Sequence, residues 1–240
     1  MEKKGKTIIK LVFILLSLSL GQYSYAQSDT SSRKFIYYPE TYAKWNYRFV
    51  AGASISSFPA VISENQVSHS PMLFGGFRIG MPLNISASIN LSSNYISNYA
   101  SISLICSPIQ EPITIAIGGK IAGWYGQLEL DAENFNSRGF ILNPLINLGI
   151  RLDKLMLSIE LESQYSRFFT YSENEFLGTV KEPEAGYGIS INLEQPLWND
   201  NYVVIGLKIN YSKFFYQSWL SYNTIDEFLF YPEVLFGFIL

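Results

Sequence analysis

Between Ala185 and Leu197 the odd positions read Ala, Tyr, Ile, Ile, Leu, Gln and Leu, while the even ones read Gly, Gly, Ser, Asn, Glu and Pro. Side chains of an extended strand point alternately to its two faces, so this stretch has one greasy face and one polar or small face. Val203, Ile205, Leu207, Ile209 and Tyr211 alternate in the same way with Val204, Gly206, Lys208, Asn210 and Ser212. Leu155, Leu157, Ile159 and Leu161 do so against Met156, Ser158, Glu160 and Glu162.

The pattern recurs and predicts ten strands, at about 45–56, 71–80, 83–94, 99–107, 112–126, 139–152, 154–169, 185–197, 201–217 and 229–240. Their connections alternate between brief turns (81–83, 108–111, 153–154, 198–200) and loops that are long (57–70, 127–138, 170–184, 218–228) or, at 95–98, medium. An even strand number with short turns at one end and longer loops at the other describes a closed antiparallel transmembrane β-barrel. Turn parity agrees, because a two-residue turn must switch the outward parity and a three-residue turn must keep it. Across Asp153-Lys154 the apolar face moves from Leu148, Ile150 and Leu152 to Leu155 and Leu157; across Met81-Pro82-Leu83 it stays odd, from Phe77 and Ile79 to Ile85 and Ala87. Pro144 and Pro232 fall inside predicted strands, where they donate no ladder hydrogen bond, so a bulge or a shifted boundary is expected at each. Failure of the first two strands would leave eight.

A soluble β-sandwich buries its apolar face and turns a charged one to water, whereas the polar face here is mostly Gly, Ser, Asn and Thr with scattered charges. That suits a crowded polar lumen. Charged residues are 15% of the chain and aromatics 16%, which excludes intrinsic disorder and speaks against a nucleic-acid-binding surface. Trp45, Tyr47, Tyr95, Tyr99, Trp124, Tyr125, Tyr165, Trp198, Tyr202, Tyr216 and Trp219 gather near strand ends, as aromatic girdles do at the two lipid headgroup levels.

Residues 1–26 have their own order. Lys3, Lys4, Lys6 and Lys10 precede an apolar run from Leu11 to Leu20, and Ser24-Tyr25-Ala26 precedes Gln27. This is the layout of a cleaved signal peptide, and the apolar run is about half of what an anchor helix needs. The expected organisation is therefore a signal peptide at 1–26, a periplasmic N-terminal segment at 27–44 and a transmembrane barrel at 45–240. Without the signal peptide 13 basic and 19 acidic residues remain, a net charge of about −6. Gln27, not Cys, would lead the mature chain, which argues against a lipid anchor, and the single cysteine, Cys106, excludes an internal disulfide.

From Trp45 onward the chain resembles the small outer-membrane β-barrel proteins of Gram-negative bacteria. Its last strand alternates Val234, Phe236, Phe238 and Leu240 up to the final residue. In that superfamily such a terminal strand implies recognition by the barrel-assembly machinery, although Leu240 stands where an aromatic is usual. The Tyr25-Ala26-Gln27 junction is similar in style to Bacteroidota barrels, including PorT-like components of a protein-secretion system.

Several constellations bear on function. The inward parity holds Arg48, Arg78, Lys120, Arg151 and Lys208 against Glu160, Glu162, Glu194 and Glu233, a near-neutral lumen set. Lys208 and Glu233 lie at matching depth on neighbouring strands. Such a set either lines an ion-selective constriction or satisfies buried charge in a filled lumen, and the filled lumen is expected at ten strands. The long loops hold Glu129, Asp131, Glu133, Glu173, Glu175, Asp226 and Glu227 with few bases, an extracellular acidic rim. It reads as a solvated surface or as a site for cations bridging to lipopolysaccharide. His69, the only histidine, sits in a predicted loop, which leaves no strand-fixed Ser-His-acid set and no expected catalytic residue. Cys106 falls on the lipid-facing parity beside Leu104, and no His or Cys cluster predicts a metal or cofactor.

The expected protein is thus an integral barrel of the cell outer membrane, non-enzymatic, a structural or accessory component of an envelope or secretion assembly. A narrow channel for small polar solutes is the alternative, and a lipid-active or proteolytic enzyme a third. Expected partners are outer-membrane lipids and lipopolysaccharide, the assembly machinery during biogenesis and an envelope protein, with no nucleic acid. The first reading to test is export: N-terminal sequencing of membrane-extracted protein should begin at Gln27, and an intact Met1 would reject the signal peptide.

Overall fold

The computed structural model describes residues 35–59, 69–94, 96–110, 112–130, 133–152, 154–172, 175–197, 201–213 and 227–240. The predicted signal peptide, 1–26, lies outside them. Ten strands run in chain order: β1 (Tyr47–Ser57), β2 (His69–Met81), β3 (Ile85–Ser93), β4 (Ser97–Ile109), β5 (Ile113–Leu130), β6 (Glu133–Leu152), β7 (Leu155–Ser172), β8 (Glu175–Pro196), β9 (Tyr202–Ser212) and β10 (Leu229–Ile239). Each pairs antiparallel with its chain neighbours, and β1 pairs with β10 to close the barrel. Beyond the last strand residue, Leu240 and Phe49 exchange backbone hydrogen bonds of 2.9 and 3.4 Å, so the seam runs to the final residue. The eight-strand alternative is excluded.

The two faces are inverted relative to a soluble protein. Outside, Leu73, Leu91, Ile102, Leu104, Ile121, Ile205, Val234 and Phe236 are exposed, each by about half or more of its surface. Inside, Ser56, Ser86, Ser101, Ser107, Asn143, Asn192 and Asn210 are buried. An apolar belt around a closed ladder is the arrangement that hydrocarbon requires, because every strand amide and carbonyl finds its partner in the next strand. Cys106 is half-buried on this outward face.

β6 ends at Leu152 and β7 begins at Leu155, the spacing expected of a two-residue turn. The first brief turn instead spans 82–84, with Leu83 (φ 68°) and Asn84 (φ 55°) in the left-handed region that a tight reversal demands. The predicted loops 127–138 and 170–184 are corrected more substantially. Here β5 pairs with β6 out to Leu130–Glu133, and β7 with β8 out to Ser172–Glu175. These hairpins are longer than their hydrophobic alternation. A strand that rises above the apolar belt has water on both faces, and its sequence loses the period of two while its backbone keeps pairing.

The proline expectations also change. β6–β7 pairing is interrupted between Leu142–Tyr165 and Leu145–Glu162 and resumes in the same register, with no bulge at Pro144. Pro232 pairs opposite Ile209 and lies one residue past Glu233–Ser56, the last β1–β10 pair, where one ladder has ended. Register shifts fall instead between Cys106 and Ile109, Gln164 and Ser166, and Thr170 and Tyr171.

The face assignment has a measurable consequence. Ile205→Arg, in the middle of the apolar belt, should destabilise the barrel by about 2–4 kcal/mol, and Leu152→Arg, at the rim, by about 0–1 kcal/mol. Folding titrations in lipid vesicles would show the difference, and equal costs would reject this placement of the bilayer.

Candidate functional site

Residues 27–44 show no strand alternation and read as periplasmic; of their described part, 35–44, residues 35–42 lie within the lumen at the short-turn end. Every one of these residues except the half-buried Tyr37 is buried. The reason is visible in the composition of the segment: Phe35, Ile36, Tyr37, Tyr38 and Tyr42 form an apolar and aromatic run with no other surface to cover. Ile36 packs with Val50, Val204 and Ile239. Phe35 packs with Tyr38 and Met156, and its ring meets that of Tyr202 edge-on at 5.0 Å.

Two buried charges grip the main chain of this segment. The Glu194 carboxylate, near the end of β8, accepts from three successive amides, Ile36 (2.9 Å), Tyr37 (2.6 Å) and Tyr38 (3.4 Å). The Arg78 guanidinium, on β2, donates to the carbonyls of Ile36 (2.7 Å), Tyr38 (2.6 Å) and Glu40 (2.8 Å), and its Cζ lies 5.0 Å from the centre of the Tyr42 ring. Asn147 donates to the Tyr37 carbonyl at 3.2 Å, and the Ser107 hydroxyl donates to that of Pro39. Tyr42 donates to the carbonyl of Phe35, and the Tyr38 hydroxyl meets Thr114 Oγ1 at 3.0 Å. Arg151 closes the set through an ion pair to Glu40 at 3.0 Å. Gly149 leaves the space: a Cβ there would come within 2.6 Å of the Tyr38 ring and 2.7 Å of Pro39. Burial pushes the Tyr37 and Tyr42 phenols above their ordinary range, Glu194 adding to the effect on Tyr37, so both stay neutral.

A second layer lies deeper in the barrel. Glu162 on β7 receives Lys120 of β5 at 2.6 Å and Lys208 of β9 at 2.7 Å, and Lys120 also reaches Glu160 at 3.6 Å. Gln164 donates to Glu162 and to Asn210, both at 3.4 Å. Gly188 is required here, since a Cβ would stand 2.8 Å from Glu162 Oε1.

The nine lumen charges thus divide. Lys120, Glu160, Glu162 and Lys208 form one network; Arg78, Glu194 and Arg151 hold the N-terminal segment. Glu233 stands directly opposite Lys208 in the β9–β10 register, but the ammonium turns to Glu162. Arg48 stands opposite Arg78 in the β1–β2 register on the inward face. Of the acidic rim, Asp131, Glu173 and Asp226 lie outside the described residues, as do the side chains of Glu129, Glu133 and Glu175, while Glu227 is exposed just before β10. Val234, Phe236, Phe238 and Leu240 all point outward on or just past β10. His69 is exposed at the start of β2, opposite Ser57. Among the described residues no three His, Cys, Asp or Glu side chains come together as metal ligands.

No protein-family model and no curated protein sequence matches this chain. Solved structures are similar to it in shape. The outer membrane protease OmpT from Escherichia coli aligns at 10% identity over 88% of this chain and 99% of its own, with a TM-score of 0.45. An active-site mutant of outer membrane phospholipase A from Escherichia coli aligns at 11% identity over 95% and 96%, with a TM-score of 0.37. The translocator domain of the autotransporter NalP from Neisseria meningitidis aligns at 10% over 99% and 96%, with a TM-score of 0.38. The activities in those names belong to those proteins.

The network around Glu162 should behave as one unit. Glu162→Leu removes the carboxylate that Lys120 and Lys208 share and should cost about 3–5 kcal/mol, while Lys208→Met, which leaves Glu162 its Lys120 partner, should cost less. Replacing Lys120, Glu162 and Lys208 together by apolar residues of similar volume should recover much of the loss. Denaturant unfolding in detergent micelles measures all three.

Proposed function

We propose that this chain is an integral outer-membrane β-barrel that does not conduct at rest and serves as a non-enzymatic structural or accessory component of an envelope assembly. The observation that carries this reading is the filled lumen: residues 35–42 occupy its short-turn end, held by Glu194 and Arg78, and the Lys120–Glu162–Lys208 layer crosses it further in. An open pore gives a lumen charge to water, whereas here each of these charges is committed to a protein partner. A protein secretion complex is the assembly that the PorT-like resemblance implies. Lipids and lipopolysaccharide would meet the apolar belt, and the barrel-assembly machinery the outward-facing last strand.

The narrow-channel alternative requires the N-terminal segment to leave, and a convergent Ser, His and acid would favour the enzyme alternative. Purified protein in planar bilayers should therefore pass little or no steady current. A stable, ion-selective conductance in the wild type would overturn the filled-lumen reading and promote the channel. Co-purification from native membranes in mild detergent should recover a stoichiometric envelope partner, and recovery of the barrel alone would count against the accessory role.

A further inference from the structure

The contacts of residues 35–42 have an unusual chemistry. The five consecutive carbonyls from Ile36 to Glu40 each accept from a barrel side chain: Arg78 takes three, Asn147 one and Ser107 one. The three consecutive amides from Ile36 to Tyr38 all donate to Glu194. Recognition on this scale is directed at the peptide main chain, which any sequence presents. Specificity comes from two adjacent side chains at the head of the segment, Ile36 among Val50, Val204 and Ile239, and Phe35 against Met156 and Tyr202. The segment is not a strand and joins no ladder, so the ten-stranded sheet is complete without it. Yet Glu194 and Arg78, 0% and 1% exposed, make three hydrogen bonds each with that main chain. A buried carboxylate and guanidinium facing a hollow keep a strong demand for peptide amides and carbonyls.

We propose that the short-turn end of the lumen is a peptide-binding site, a receptor for a main chain that bends around one carboxylate and is headed by two adjacent large apolar side chains. Residues 35–42 are its resident ligand and can be exchanged for an equivalent segment supplied in trans. The site stands on this geometry and does not depend on the accessory role.

The test keeps the whole chain. A protease recognition sequence is inserted between Lys44 and Trp45, both exposed at the reversal that leads into β1. The folded protein is then cut in detergent and mixed with a fluorescent synthetic peptide of residues 35–44. Fluorescence anisotropy should show saturable uptake by the cut barrel and none by the uncut one. A peptide carrying Phe35→Asp and Ile36→Asp should bind at least tenfold more weakly, and Glu194→Gln in the barrel should weaken the native peptide by a similar factor. The peptide-side change holds the test open should Glu194→Gln fail to fold. A cut barrel that keeps its folded electrophoretic mobility but takes up no peptide over many hours would overturn the proposal. So would equal uptake of the native and Asp-bearing peptides, which would mark adsorption to exposed apolar surface.

Discussion

Hydrocarbon offers no partner for a backbone amide or carbonyl, and a chain that crosses it with strands must satisfy every one of them between neighbouring strands. In this protein the requirement falls finally on the β1–β10 seam. Seven residue pairs from Val50–Ile239 to Ser56–Glu233, with the Phe49–Leu240 exchange below them, convert a sheet with two open edges into a cylinder with none. The exterior then has one solvent and the interior another. That division is why the large exposed residues are Leu, Ile and Phe while Ser and Asn are prominent among the buried ones, the reverse of a globular domain.

The cylinder creates the problem that the lumen residues solve. Ten strands enclose too little room for an aqueous channel of ordinary width and too much to close by side chains of one layer. The barrel fills itself with long charged residues and with a length of its own chain. Charges inside such a space are costly unless each meets a partner, and the two layers meet that demand differently. Around Glu162 the answer is other side chains, two ammonium groups for one carboxylate. Around Glu194 and Arg78 it is the peptide dipole, so one bent segment neutralises an acid through its amides and a base through its carbonyls.

Much of the fold was legible in the residues because the period of two survives wherever a strand has lipid on one side. The strand number, the antiparallel order and the outward set on β10 all follow from it. The long hairpins β5–β6 and β7–β8 were not legible, since above the apolar belt neither face is distinguished by hydrophobicity. Inward charges could be found by parity alone, and Lys120, Glu160 and Glu162 do gather. Their pairing could not be found, because parity gives a face and a depth but not the reach of a lysine across the lumen; hence Lys208 turns to Glu162 although Glu233 is its neighbour in register. The most consequential omission is Glu40 and its companions. An aromatic run before the first strand, Phe35 to Tyr42, was the available signal, but a short segment with no period carries no direction.

The seat of that segment is assembled from widely separated strands. Val50 comes from β1, Arg78 from β2, Ser107 from β4, Asn147 from β6, Glu194 from β8 and Ile239 from β10. On an unrolled sheet Val50 and Ile239 would stand at opposite edges, nine strands apart, and no hollow for Ile36 would exist. Docking of residues 35–42 is thereby conditional on the seam: they can settle only when the last strand has found the first. The arrangement works as a latch that reports a finished circle, and a barrel left open at β1–β10 would carry its own aromatic tail undocked.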